Sequence, residues 1–337
     1  MQPGPQFDHL ARMTTPLGLF EHALLTSPRV EHGYCLDDVA RGLVVAVREP
    51  DPRPEVRAMV GSYLQFAVAA QDSRGTFHNR RRADGSWSDA TSANDHWGRA
   101  VWAVGLTAAL TGGEVREQAL AVATRGMRAR SPYPRAMAYA ALGAVEVLRT
   151  RPAHRSAVRL LKDARSMLPQ PSGDPSWPWP EPRLAYANAV LPEALLAIGA
   201  TLDDQRMLQD GLLLLTWLLD TQTRGGHLSV VPAGGWQLGD PSPGFDQQPI
   251  EVAALAEACW RAHEVTGDDR WLAGVVNCAD WFFGANDGGT ALYDSATGGC
   301  CDGLLSDGVN LNQGAESTLA ALSTLQIAQR APLLVAH

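Results

Sequence analysis

Three carboxylates in two short stretches have the residue types and spacing that acid–base chemistry requires. Asp37 and Asp38 are adjacent, and Glu251 lies near the start of a largely apolar segment. Two carboxyl groups, one protonated and one ionised, can break a glycosidic bond. Repulsion within the adjacent pair is expected to raise the pKa of one member and so supply an acid. We expect Asp38 and Glu251 to be catalytic, with Glu251 as general acid and Asp38 activating water, or with the two roles exchanged.

Polar and aromatic side chains gather in the loops that precede apolar segments. Carboxylates and amides present paired acceptors and donors, and flat rings cover apolar C–H faces, so this mixture is typical of a sugar site. The expected substrate-binding residues are His32, Tyr34, Asp37, Asp95, Trp97, Arg99, Trp177, Trp179, Tyr186, Asn188, His227, Asp246, Gln247, Gln248, Gln313 and Glu316.

Structural roles are the alternative for many of these residues. Four positions where a helix N-cap is expected are Asp37, Asp95, Asp246 and Asn312. Aspartate is a preferred cap, so capping alone could explain them. Glu251 and Glu316 lie a full turn inside their predicted helices, where a buried carboxylate is costly unless it is used or paired. Trp97 is also well placed for the core.

The elements that must position these residues are helices of two kinds, which alternate along the chain. One set is apolar on all sides, as expected for helices packed on every face. It is predicted at 38–48, 95–111, 133–149, 188–200, 248–265 and 313–329. An amphipathic set is predicted between them at 54–71, 114–129, 153–167, 204–221 and 268–283.

The buried helices recur at intervals of roughly 55 residues, which indicates an array of helical hairpins. Six buried and five amphipathic helices, with the N-terminal segment as the twelfth, predict an all-α (α/α)6 toroid with long site-forming loops at one end. We expect residues 1–337 to form this single catalytic domain. An open helical solenoid is the alternative architecture.

Composition argues against several partners. The chain has 28 Lys and Arg against 36 Asp and Glu, a formal charge of −8. Nucleic acids and anionic membranes attract basic surfaces, so neither is an expected partner. The N-terminus lacks the basic and apolar segments of a signal peptide, and the five cysteines are scattered, which together predict a cytoplasmic protein with reduced thiols. No phosphate-binding, dinucleotide or zinc motif occurs, so we expect no cofactor and no metal.

One motif resembles a known family. The string His32-Gly33-Tyr34-Cys35-x-Asp37-Asp38-x-Ala40-Arg41 is similar to a signature of bacterial six-hairpin glycosidase-like proteins. The strings at 245–249 and 312–317 resemble the same group, and the similarity extends over 7–326. The resemblance implies the (α/α)6 fold and a glycoside hydrolase acting on an intracellular α-mannan-like oligosaccharide or polysaccharide. Its most specific implication is endo-α-1,4-mannosidase activity on methylmannose polysaccharide. Apart from the resemblance, we expect a monomer or homodimer.

Alternatives from other classes stay open. A sugar 2-epimerase would move a proton at C2 with paired histidines, for which His96 and His227 are available. A non-catalytic carbohydrate-binding module would keep the tryptophans and tolerate loss of the acids. A phosphorylase is a closer variant, which dependence on phosphate would reveal.

Overall fold

The computed structural model describes residues 4–331, and helices dominate this part of the chain. Contacts between elements divide it into two compact units. The first unit is Leu10–Leu168, and the second comprises the described residues up to His9 and from Pro169 onwards. Among the described helices, none combines the length and the apolar character needed to cross a bilayer.

The first unit is built from three helical hairpins. A short helix, α1 (Asp8–Met13), precedes them. The hairpin helices are α2 (Leu36–Arg48), α3 (Pro54–Ala70), α4 (Asp95–Leu110), α5 (Gly113–Gly126), α6 (Pro134–Thr150) and α7 (Arg155–Met167). Helices α3, α5 and α7 each pack against the helix that precedes them in the chain. Helix α4 also packs against α2 and α6. The inner helices of this unit are therefore α2, α4 and α6, and nearly every residue of α4 and α6 is buried.

The second unit repeats this arrangement. Its helices are α8 (Val190–Leu202), α9 (Gln205–Thr221), α10 (Pro249–Thr266), α11 (Arg270–Trp281) and α12 (Ala315–Arg330). Two hairpins, α8–α9 and α10–α11, are formed, and α10 also packs against α8 and α12. Local sequence sets the helix ends. Pro249 begins α10, where its missing N–H costs nothing, and Gly267 in the left-handed region ends it.

Inner helices α4 and α6 approach each other closely because glycines face the neighbouring backbone. A Cβ on Gly105 would overlap the carbonyl oxygen of Gly143, and a Cβ on Gly143 would overlap that of Val101. Larger residues at these positions would force the helices apart, so the glycines set the spacing of the layer that carries Arg99.

Short antiparallel strand pairs lie in the loops between helices. They are β1 (Thr14–Thr15) with β2 (Gly18–Leu19), β3 (Ala23–Leu24) with β4 (Ser27–Pro28), β5 (Tyr34–Cys35) with β6 (Arg80–Arg81), β7 (Thr223–Arg224) with β8 (His227–Leu228), and β9 (Gly303–Leu305) with β10 (Gly308–Asn310). Strand β5, which pairs with β6, is followed directly by α2, and β8 contains His227. These strands therefore position predicted site residues.

The alternating helix sets predicted from the sequence are present, with ends shifted by a few residues. The N-terminal segment supplies its helix as α1, but this helix has only six residues. All five cysteines are buried and none is in a disulfide.

Candidate active site

Asp37 and Asp38 lie in the first turn of α2, immediately after β5. The carboxylate of Asp37 pairs with Arg99 of α4, and its Oδ2 lies 2.5 Å from Nη2 of Arg41. The same Nη2 lies 3.0 Å from Oδ1 of Asp38, whose side chain is buried. Two guanidinium groups therefore meet two carboxylates at the start of α2.

The arginines decide the charge state of Asp37. Burial alone would raise the pKa of its carboxyl, but Arg99 and Arg41 outweigh burial and hold the pKa below its usual value. Asp37 is therefore not the member of the adjacent pair that has a raised pKa, because the guanidinium groups of Arg99 and Arg41 favour its ionised form. Asp37 is an ionised anchor for Arg99.

Arg99 is held from its other side by an aromatic ring. Its Cζ lies 4.9 Å from the ring centroid of Tyr139 on α6, and only 4% of Arg99 is exposed. Burial raises the pKa of Tyr139 despite the nearby guanidinium. Asn79 completes the cluster, since its Oδ1 accepts from the backbone N–H of Asp37 at 3.2 Å. Neither Tyr139 nor Asn79 was predicted as a site residue.

Glu251 and Asn188 meet in the second unit, where α8 packs against α10. Asn188 is fully buried, and its Nδ2 and backbone N both donate to Oε2 of Glu251, at 2.9 and 3.4 Å. The Oδ1 of Asn188 accepts from the backbone N–H of Ala185 at 2.9 Å, which fixes the amide orientation. Glu251 is 3% exposed. It lies in the first turn of α10, and Glu316 in the first turn of α12, so the prediction that both lie a full turn inside is wrong.

A second polar network in this unit centres on Asp287, in the loop after α11. Its Oδ1 lies 3.0 Å from Nε2 of His227, and its Oδ2 accepts from Nε2 of Gln247 at 2.6 Å. Burial would raise the pKa of Asp287, but polar contacts with Ser229, Gln247 and His227 lower it overall. Asp287 was missed from the sequence; it lies in the turn Asn-Asp-Gly-Gly, which indicates a loop but no chemistry.

Four tryptophans of the second unit form one aromatic cluster. Trp177 and Trp179 come from the loop before α8, Trp217 from α9 and Trp236 from the loop after β8. Trp179 is 1% exposed, and its indole N–H donates to the carboxylate of Glu181 at 3.2 Å. Trp179 therefore lies within the protein and braces the loop.

Several predicted substrate-binding residues of the first unit have other surroundings. Trp97 is fully buried and donates to the carbonyl of Gly126 at 3.1 Å, which makes it a core residue. Tyr34 is buried and accepts from Thr15 Oγ1 at 3.0 Å. His32 is exposed, and its ring packs edge-on against that of His22 with centroids 5.0 Å apart. Half-buried Asp95 begins α4.

The remaining predicted residues of the second unit vary in burial. Tyr186 is 44% exposed, whereas Gln313 is buried and its backbone carbonyl lies 2.8 Å from His9 Nε2. Burial raises the pKa of Asp246, although a hydrogen bond from Gln248 opposes this. Gln248 and Glu316 are half-buried.

Capping does not explain the acidic residues at the helix starts. The N-caps of α2, α4, α10 and α12 are Cys35, Asn94, Gln248 and Gly314. None of them makes a side-chain capping hydrogen bond. The aspartates lie one or two residues away from these caps, so their carboxylates serve other contacts.

One group in the first unit has the spacing of metal ligands. Side-chain atoms of Glu21, Cys35 and Asp38 lie within 4.8 Å of one another. Arg80 pairs with Glu21 and Arg41 with Asp38, so cationic partners are already present. Burial raises the pKa of the Cys35 thiol well above its usual value, which disfavours the thiolate that a metal would need. The donor set fits a metal poorly.

No protein-family model and no curated protein matches the sequence. Solved structures nevertheless share its fold. A cellobiose 2-epimerase from Spirochaeta thermophila is 15% identical, with a TM-score of 0.70 over 97% of this chain and 94% of that chain. A D-mannose isomerase is 12% identical, with a TM-score of 0.64 over 96% and 94%. The cellulase Cel9M of C. cellulolyticum is 8% identical, with a TM-score of 0.61 over 93% and 87%.

These solved structures have the (α/α)6 toroid fold, and the likeness covers nearly the whole of each chain. The predicted all-α toroidal fold is therefore confirmed. At such low identities the likeness establishes the fold alone.

Proposed function

We propose that the protein is a glycoside hydrolase that cleaves an α-mannan-like oligosaccharide or polysaccharide. In its most specific form the proposal is an endo-α-1,4-mannosidase acting on methylmannose polysaccharide. The contact between Asn188 and Glu251 carries the proposal. A buried carboxylate at the start of an inner helix, with one oxygen held by two donors, is a group fixed in orientation for proton transfer.

Roles follow from the surroundings of each carboxylate. Glu251 is the general acid, and Asn188 orients its carboxyl group. Asp38 is the base that activates water, with Arg41 3.0 Å away to hold the carboxylate in place. Asp37, ionised between Arg41 and Arg99, keeps both guanidinium groups ordered. Each role is a proposal that substitution tests separately.

The fold likeness supports a sugar as the substrate. The solved structures that share the fold include proteins named as a cellobiose 2-epimerase, a D-mannose isomerase and a cellulase. These names cover both hydrolysis and isomerisation. The choice between the two reactions for this chain therefore depends on its own residues.

A sugar 2-epimerase is the second candidate, and the contact between His227 and Asp287 favours it. A half-buried histidine beside an ionised carboxylate is suited to moving a proton. The second histidine of the expected pair is less suitable. His96 is 6% exposed, and its Nε2 lies 2.9 Å from the carbonyl oxygen of Phe77, so this nitrogen serves the fold. We therefore favour hydrolysis.

Product analysis in D2O separates the candidates. Wild type and Glu251→Gln are incubated with α-1,4-linked mannose oligomers, plain and methylated, and with cello-oligosaccharides. Shortened oligomers from wild type alone support a hydrolase with Glu251 in the chemistry. Deuterium at C2 without shortening supports the epimerase, and cleavage only with phosphate supports a phosphorylase. Binding with neither product supports a carbohydrate-binding module.

Glu257→Gln is the matched control for this experiment. Glu257 is a second buried carboxylate on α10, and its Oε1 accepts from Ser323 Oγ at 2.7 Å. The Glu257 substitution tests the general cost of removing a buried charge from this helix. Equal loss of cleavage in both variants would contradict a specific role for Glu251.

A further inference from the structure

Three half-buried tryptophans on the second unit are not explained by the acid–base chemistry. Trp177 lies at the centre, with its ring centroid 5.2 Å from that of Trp217 and 6.0 Å from that of Trp236. All three remain partly exposed, and the neighbouring Leu238 is 66% exposed. Large aromatic residues grouped at a surface commonly mark a binding site.

Two of the three tryptophans of this platform are held in place by hydrogen bonds from their indole N–H groups. The indole N–H of Trp177 donates to the carbonyl of Glu181 at 2.8 Å, and that of Trp236 donates to the carbonyl of Asp240 at 3.3 Å. Trp179 supports Trp217 from within, with nearly parallel rings 6.2 Å apart. The indole N–H groups of Trp177 and Trp236 are therefore already used, so these two rings offer a ligand their carbon faces.

Charged groups of both signs stand beside the rings. Nη2 of Arg183 lies 3.4 Å from Oδ2 of Asp240, and both side chains are partly exposed. Carboxylate and guanidinium groups next to an aromatic face suit a ligand that has both an apolar face and hydroxyl groups. A sugar ring has this composition, whereas a purely apolar partner would remove water from this ion pair and offer it no hydrogen bonds in return.

The platform is joined to the proposed general acid by a short stretch of chain. Leu184 and Trp236 exchange backbone hydrogen bonds of 2.7 and 3.0 Å. Four residues further along, Asn188 contacts Glu251. The four residues from Leu184 to Asn188 span at most ~14 Å. Since Leu184 pairs with Trp236 and Asn188 contacts Glu251, one extended oligosaccharide can reach from Glu251 to the platform.

We infer that Trp177, Trp217 and Trp236 form an outer subsite that binds a sugar ring of a linear oligosaccharide at a distance from the bond that is cleaved. The inference rests on the proposed function for the class of ligand, and it adds a preference for long substrates. Short oligosaccharides that occupy only the surroundings of Glu251 do not reach the platform.

Binding by titration calorimetry tests the subsite independently of catalysis. The Glu251→Gln variant, which prevents turnover, is the reference protein, and Trp236→Ala and Trp217→Ala are each combined with it. All three proteins are titrated with α-1,4-mannose oligomers and cello-oligosaccharides of two and six units. We expect each tryptophan substitution to weaken binding of the six-unit ligand about tenfold, and to change binding of the two-unit ligand less than about twofold.

Trp260→Ala is the matched control, because Trp260 is a half-buried tryptophan of α10 that packs against His263 outside the platform. Equal weakening for both ligand lengths, or a similar effect of the control, would overturn the subsite. The subsite would also be overturned if none of these oligosaccharides bound to the protein. Length-dependent binding without cleavage by wild type would retain the subsite and reject the hydrolase.

Discussion

Asn188 holds a single oxygen of Glu251 with two donors, its side-chain nitrogen at 2.9 Å and its backbone nitrogen at 3.4 Å. The residue before it, Ala187, has a φ of 43°, in the left-handed region that residues with a Cβ seldom adopt. Backbone strain of this kind occurs where surrounding structure fixes a functional conformation. The turn is therefore shaped to present Asn188 to α10.

Replacing Asn188 with Asp would place a second carboxyl group against Glu251 at nearly unchanged volume. Two adjacent carboxyls cannot both ionise easily, so the pair would have a raised pKa in the folded state. The folded variant would then bind more protons than its unfolded chain, and its stability would fall as the pH rises through the raised pKa. A pKa raised by one pH unit would lower the free energy of unfolding by about 1.4 kcal/mol above that pH. Urea unfolding at pH 4 and pH 8 measures this dependence of stability on pH.

Asn188→Ala provides the comparison for that experiment, because it also removes the Nδ2 donor to Glu251 but adds no charge. We expect Asn188→Ala to be destabilised to a similar degree at both pH values. If Asn188→Asp shows no more pH dependence than Asn188→Ala, the two side chains do not meet as described.

Arg99→Met would leave Asp37 with one guanidinium instead of two. Removing one partner of a buried ion pair typically costs about 3–5 kcal/mol, and we expect the lower end because Arg41 remains. Asp37 has a depressed pKa in the folded wild type, so its contribution to stability is present above pH ~4 and is lost as the pH falls through the folded value. In Arg99→Met, Asp37 takes up its proton at a higher pH than in wild type, because only Arg41 still favours the ionised form.

The stability difference between wild type and Arg99→Met should therefore narrow between pH 7 and pH 3, and most of the change should occur below pH 4. Urea denaturation at both values checks this, and Asp37→Asn combined with Arg99→Met should recover part of the loss. A difference that stays constant over this range would show that Arg99 acts through packing alone.

Helix positions could be predicted because each helix carries its own signal. The segment at 133–149 is apolar on all sides, and α6 spans Pro134–Thr150. Glu251 stood out for the same reason, as a carboxylate in an apolar segment. Such signals are local, so a single sequence contains them.

Pairings across the chain were not predictable in this way. Asp37 meets Arg99 from 62 residues away, and this pairing lowers the pKa of Asp37 although burial alone would raise it. Asp287 meets His227 from 60 residues away, and its turn carries no pattern that indicates a partner. The sequence allows Trp97 to lie either in a sugar-binding site or in the core, and packing places it in the core. Tertiary contacts decide these cases, and periodicity does not report them.

Gly143→Ala should strongly destabilise the first unit, because the new Cβ would overlap the carbonyl of Val101 on α4. Overpacking of this kind typically costs about 1–3 kcal/mol. Gly61→Ala is the matched control: Gly61 lies on the exposed face of α3, and no atom lies within 4 Å of a Cβ there. That change should stabilise by about 0.5–1 kcal/mol through helix propensity. Relative to wild type, the Tm of Gly143→Ala should fall and the Tm of Gly61→Ala should rise. Shifts of both Tm values in the same direction would contradict the close approach of α4 and α6.

His227→Gln distinguishes the proposed hydrolase from the epimerase more sharply than any change at a carboxylate. The substitution removes the imidazole that contacts Asp287 but keeps a polar side chain on β8. In a hydrolase driven by carboxylates, His227 contributes only binding contacts, so the rate of oligomer cleavage should fall less than about tenfold. Glu251→Gln should lower it by about 10²–10⁴. Cleavage and deuterium exchange at C2 are measured on the same samples. Loss of cleavage in His227→Gln as severe as in Glu251→Gln would place the histidine in the proton transfer and remove the basis for assigning that step to Glu251.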